Sequence, residues 1–240
     1  MRIVEPGNIT KVVRDFLDVS QPEQPSITSR SRSWDYCYNY FQDHPEPTQD
    51  LERSCLQLGY YLASWGMLRG STYLFAETNV HHYAEAVRMI ETLNRTMRGI
   101  DADSYLDPSV RAKIIGAYSD LGQKLVPPNV ARVTLVGKVM LGVWGCLPSF
   151  DTYFRHGFGG LADKRGEKTA FSRVNDRSLT LLGEFHARHS EELSSLSEQY
   201  TTLRFGGSYS DRPLPLAKVI DVYGFQRGYD AGRRARPAYS

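Results

Sequence analysis

Cysteine is scarce in this chain, and so are long apolar runs, excess charge of one sign and glycine-rich phosphate loops. Three cysteines, Cys37, Cys55 and Cys146, lie far apart in 240 residues. That spacing matches no zinc knuckle or iron–sulfur ligand pattern and suits reduced thiols in a cytosol. No run reaches about 18 uninterrupted apolar residues, so no membrane span is expected. The opening MRIVEPGNIT lacks the apolar stretch of a secretory signal, and a cytoplasmic location is expected. Net charge is only +2, so the bulk balance does not announce a polyanionic partner. There is no GxxxxGK[ST] loop, no GxGxxG after a strand and no GxSxG elbow. Their absence argues against P-loop, dinucleotide and α/β-hydrolase chemistry.

What is present is helical periodicity, many aromatics and local clusters of basic residues. Residues 155–177 are rich in arginine and lysine, and the stretch from Arg227 to Arg236 sets four arginines against Asp230. Such clusters can follow a phosphate backbone; taken singly, each also suits a solvated face. Fifteen tyrosines suit base stacking and core packing equally.

Apolar spacing predicts helices over 8–18, 33–43, 51–75, 80–98, 109–123, 130–145, from 149, one or two over 172–198, and 214–227, with Gly66 and Gly70 marking a bend or a close helix contact within 51–75. Asn8, Ser33, Thr48 or Asp50, and Asp107 stand at cap positions, the last ahead of Pro108. GFGGLADKRGEK and RFGGSYSDRPLP read as loops, and no run alternates convincingly as a strand. The expected fold is all-α, with nine or ten helices in one unit, or in two lobes of about 1–125 and 126–240 around a groove.

Two histidine clusters invite a metal reading. His81 and His82 are adjacent, so on a helix they point apart, although Glu85 is near; His186 and His189 have no evident third ligand. No metal and no cofactor is expected. Trp34 and Trp65 suit either a core or a base-stacking platform.

The most informative stretch is LGVWGCLPSFDTYFRHGF, residues 141–158. It reads as a helix stop, a Gly-Cys-Leu-Pro turn, and Asp151 at the start of the next helix, followed by Arg155 and His156. An Asp there caps backbone N–H groups and is held ionised by the helix dipole. The same fixed carboxylate can stabilise a developing cation or orient a water.

The run GVWGCLPSFDTYFR, with Phe150, Asp151, Thr152, Tyr153 and Arg155, resembles the signature of helix-hairpin-helix DNA glycosylases of the endonuclease III and 8-oxoguanine glycosylase type. In that family an apolar helix and a proline turn precede a V-D-T-H-x-x-R segment whose Asp assists departure of the base. The resemblance implies an all-α enzyme that hydrolyses the N-glycosidic bond of a damaged or modified base, with Asp151 as the key carboxylate and duplex DNA with a flipped base as partner. Lys138 stands where a Schiff-base lysine is sought but lies nearer Asp151 in the chain than the family's does. That favours a monofunctional enzyme in which Asp151 activates water. Tyr153 replaces the signature His, and VPPNVARVTLVGK departs from the LPGVGxKTA-like hairpin. The departure from housekeeping repair motifs points toward a hypermodified base of phage DNA and a defence role. Trp34, Tyr36, Asn39, Gln42 and Trp65 are candidates to hold the base; Arg132, Arg155, His156, Lys164 and Arg165 are candidates to hold phosphates. The alternative is a non-catalytic helical module binding DNA or protein, with Asp151 only a cap.

Overall fold

The computed structural model describes residues 2, 4–20, 26–162 and 165–234, with backbone alone at 18–20, 165 and 234. Twelve α-helices, rather than nine or ten, and one two-stranded sheet make up the regular structure of the described residues. In chain order they are α1 (Asn8–Ser20), α2 (Arg32–Asp43), α3 (Leu51–Ser64), α4 (Tyr73–Glu77), α5 (Ala84–Met97), α6 (Pro108–Leu125), α7 (Val133–Val143), α8 (Thr152–Gly159), α9 (Arg165–Ala170), α10 (Asp176–Arg188), α11 (Ser190–Gln199), β1 (Thr201–Leu203), β2 (Tyr209–Pro213) and α12 (Leu216–Arg234). No described helix is long and apolar enough to cross a membrane.

The extra helices come from breaks that apolar spacing alone conceals. Residues 51–75 are not one helix: α3 ends at Ser64, and Gly66 takes a left-handed φ of 75° that redirects the chain before α4. Residues 80–83 form a separate 3₁₀ turn, capped by Asn79, before α5. Part of GFGGLADKRGEK is helical, in α8 and α9. RFGGSYSDRPLP carries the turn of an antiparallel hairpin and all of its second strand, with Leu203 opposite Tyr209. Ser33 lies inside α2, where its hydroxyl donates to the Arg30 carbonyl, and Ser31 takes the cap position. Asp50 and Asp107 do cap α3 and α6, accepting from the amides of Arg53 and Ser109.

Helix α7 runs through the centre of the core. Every residue from Leu135 to Val143 is buried, and α2, α3 and α6 all touch it. The carbonyls of its last turn have capacity beyond the backbone amides that follow, and α2 adds side-chain donors. Trp34 Nε1 donates to the Leu141 carbonyl at 3.0 Å and Gln42 Nε2 to the Val143 carbonyl at 2.8 Å. Helix α12 lies across α8 at almost backbone contact. A Cβ on Gly157 would fall 2.0 Å from the Gly224 carbonyl, and one on Gly228 1.9 Å from that of Tyr153, so only glycine permits this approach. The turn from α7 to α8 therefore joins two elements that are each held from several sides.

Candidate functional site

That turn is built to place Asp151. Gly145 takes a φ of 66° to leave α7, and Phe150 a φ of 50°, a conformation that costs a non-glycine residue about 1 kcal/mol or more. The surroundings hold it there. The Phe150 ring is fully buried against Phe154, and Thr134 Oγ1 donates to the Phe150 carbonyl. Asp221 on α12 accepts from both the Ser149 amide, at 2.8 Å, and the Ser149 hydroxyl, at 2.7 Å. Asp151 then caps α8, its Oδ1 accepting from the Phe154 amide at 2.9 Å. The capping role expected from the sequence is present.

The second carboxylate oxygen faces charge. Asp151 Oδ2 lies 3.5 Å from Lys138 Nζ, and the lysine side chain is 6% exposed. Lys138 comes from the buried middle of α7, with its ammonium 4.9 Å from the Trp65 ring centre. A second lysine joins it. Lys218 Nζ, on the first turns of α12, lies 4.8 Å from the Trp34 ring centre, 5.7 Å from that of Trp65 and 3.8 Å from Asp221 Oδ2. Burial holds the Lys218 ammonium below the usual lysine range, and neighbouring Lys138 adds to this against the pull of Asp221 and Asp35. Arg32 and Asp35, three apart on α2, form a further buried pair at 3.2 Å, and burial pushes the Asp35 carboxyl up to about 6 despite that partner.

These groups line two adjoining clefts that share Phe16, Trp34, Trp65 and Lys218; Tyr61, Leu141 and Phe225 complete the wall beside Asp151. Arg32, Lys138 and Lys218 oppose Asp35, Asp151 and Asp221, so the lining is formally neutral. Its donors are nevertheless underused. The buried Trp65 indole N–H has no hydrogen-bond acceptor among the described residues, and both ammonium groups meet their carboxylates at ion-pair rather than close hydrogen-bond distance. The clefts are narrow, with about 10 and 20 Å³ open to a water centre, room for one solvent molecule each. A larger group enters only if the aromatic wall moves.

Of the residues expected to hold a base, Trp34 and Trp65 reach this cleft and the others do not. Gln42 is spent on α7. Asn39 clamps the hairpin, donating to the Leu203 carbonyl and accepting from Thr202 Oγ1 and Arg212. The Tyr36 hydroxyl donates to the Ile27 carbonyl, and its ring lines a different groove. Arg132 stacks on Tyr118 between α6 and α7. Arg155 turns back on its own helix, toward the Asp151 carbonyl and Thr152 Oγ1, and lines a groove with Met67 and Arg69. His156 is exposed on α8. Lys164 and the Arg165 side chain lie outside the described residues. His82 bonds the Leu125 carbonyl, and no cluster of three potential metal ligands occurs among the described residues.

Sequence reasoning missed Lys218, Asp221, Arg32, Asp35 and Tyr61. A signal existed for the charged four. Lys218 and Asp221 stand three apart inside LAKVIDVYGF, and Arg32 and Asp35 three apart beside Trp34, so each pair shares one face of an otherwise apolar helical segment. Compared with known proteins, the chain matches no protein family, no curated relative and no solved structure.

Proposed function

We propose that this protein is a monofunctional DNA N-glycosylase acting on a damaged or modified base, with Asp151 as the carboxylate at the reacting sugar. The observation that carries this reading is the placement of Asp151. One oxygen is locked by the α8 amide and the other faces Lys138 across a cleft walled by Trp34, Trp65 and Tyr61. The signature-like run FDTYFR, preceded by the α6–α7 helix pair and the proline turn, supports it further.

In this mechanism the aromatic wall moves aside and a base is drawn from the stack into the cleft it opens. As the bond from C1′ to the base nitrogen breaks, its electron pair leaves with the base and positive charge develops on the sugar. The Asp151 carboxylate stabilises that charge and accepts the proton of the water that attacks C1′. Lys218, with its ammonium held below the usual range, gives a proton to the departing nitrogen. The net change is water plus glycoside to sugar hydroxyl plus free base. A hypermodified phage base, and with it a defence role, belongs to the same proposal. Its support is the sequence's departure from repair-type hairpin motifs.

Asp151→Asn tests the reading, because asparagine caps a helix nearly as well but carries no charge. The expected result is at least a 100-fold loss of abasic-site formation with DNA binding retained. Full activity in the variant removes Asp151 from the chemistry. If the wild type produces no abasic sites in oxidised, alkylated or hypermodified DNA, the cleft's ion pairs are structural and the alternative, a non-catalytic binding module, takes its place.

A further inference from the structure

Beside the charged cleft lies a much roomier groove, about 680 Å³, between the loop before α2, the C-terminal half of α3 and the tip of the β1–β2 hairpin. Its aromatic surface is exposed to an unusual degree. Phe205 at the hairpin tip is 83% exposed and Tyr60 on α3 is 73% exposed, with Ile27 at 48% beside them. Large apolar side chains gathered in this way on a surface mark an interaction site. The patch is also built. Tyr36 pins the groove wall through its bond to the Ile27 carbonyl and meets Phe205 edge-to-face at 5.3 Å. The hairpin that carries Phe205 is clamped to α2 by Asn39.

The electrostatics narrow the occupant. No acidic side chain lines the groove among the described residues, and its one charged group is Arg30. Arg30 and the next exposed arginine along α3, Arg53, have no carboxylate partner among the described residues. Each lies over a ring instead, Arg30 at 5.5 Å over Trp65 and Arg53 at 5.5 Å over Tyr40. Trp65 is itself a wall of the charged cleft, so Arg30 sits between groove and cleft. Arg53 belongs to the neighbouring groove, which also holds Asp43 and Asp211, so Arg30 is the cation of this one; exposed rings beside a single arginine fit a stacked base and its phosphate. An apolar peptide would leave the Arg30 charge unanswered.

We infer that this groove is a stacking site for an unpaired nucleotide of the strand that runs out of the cleft, with Tyr60 and Phe205 taking its base and Arg30 its phosphate. The inference rests on the glycosylase reading for the identity of the strand but not on any base being released. The measurement is fluorescence anisotropy of a short labelled, unmodified single-stranded oligonucleotide over a salt series, with wild-type protein, Tyr60→Ala/Phe205→Ala and Arg30→Ala. Because the two rings are exposed, the double variant is expected to fold, with only a small fall in melting temperature from the lost Tyr36–Phe205 contact. It is expected to bind roughly 5- to 100-fold more weakly with an unchanged salt slope. Arg30→Ala is expected to lower the slope of log affinity against log salt by about one. Wild-type affinity in the double variant overturns the inference while leaving the cleft's chemistry untouched. Absence of any binding by the wild type at low salt overturns the inference, while the reading of the cleft stands or falls on abasic-site formation in duplex DNA. A wild-type dimer that the double variant dissociates assigns the groove to a second copy of this chain and likewise overturns it.

Discussion

Lys138 sits in the middle of a buried apolar helix, a place where an ammonium survives only if its desolvation is offset. Asp151 is the nearest carboxylate, at 3.5 Å, and the Trp65 face supplies a second attraction. Lys138→Met is therefore expected to leave Asp151 half-buried without its partner and to cost about 2–4 kcal/mol. Adding Asp151→Asn to Lys138→Met recovers at least about 0.5 kcal/mol of that loss, because the orphaned charge is then gone. Urea unfolding of the two single variants and the double measures this coupling, and strictly additive losses would mean that the two groups do not sense each other. At this scale Asp151 was legible in the sequence because a cap has a local signature: a turn, a proline, then an acid before an apolar helix. Lys138 was visible as a lone charge in VTLVGKVML. Lys218 and Asp221 were not assigned, because their relevance depends on α12, which begins at Leu216, returning to lie beside α8, which begins at Thr152, and local pattern does not report that return.

Helices α8 and α12 make the site by approaching more closely than side chains allow. Gly157, Gly224 and Gly228 face the contact, and a Cβ on Gly157 would overlap the Gly224 carbonyl of the other backbone. Gly157→Ala is expected to destabilise by about 3 kcal/mol or more, since backbone cannot yield as a side-chain tip can. It would also separate Asp151 from Asp221. Gly116 on α6 is the counterpart: it is exposed, helical and has nothing within 4 Å of a built Cβ. Gly116→Ala should stabilise by about 0.5–1 kcal/mol, because alanine loses less backbone entropy on folding. Thermal melts of both variants distinguish a glycine required by close approach from one that is merely tolerated; equal shifts would contradict the α8–α12 geometry. Sequence periodicity found most of the helices but joined 51–75 into one, since Gly66 leaves the apolar pattern intact while turning the backbone. It also missed the hairpin, because the strands are three and five residues long, too short for alternation to register.

Across the whole molecule the polar interior is held in near-neutral balance, and pH is the variable that disturbs it. Asp35 is the most clearly poised group: 4% exposed, paired with Arg32, yet pushed by burial up to about 6. Its folded pKa thus lies above the value of about 3.9 expected in the unfolded chain. Between pH 4 and 6 the folded state then binds more protons than the unfolded state at this position, so unfolding free energy falls as pH rises through that window and levels off above it. A shift of this size corresponds to about 3 kcal/mol at most. His186 and His189 act in the opposite direction. Burial lowers both, so their contribution grows as pH rises toward the ordinary histidine value. Wild type alone shows only the sum of these effects; the comparison with Asp35→Asn separates them. Urea midpoints across pH 4–7 are expected to show the variant gaining stability relative to wild type as pH rises to about 6, with a constant difference beyond. A difference that stays flat throughout would mean that Asp35 ionises as an ordinary carboxylate. The Arg32–Asp35 pair would then be fully charged wherever the cleft works. The outcome also bears on the proposed chemistry. Protonating Asp35 removes one of the carboxylates that hold the Lys218 proton in place, so Lys218 gives that proton up more readily below the Asp35 midpoint, and the pH profile of base release is expected to change about the same midpoint near 6.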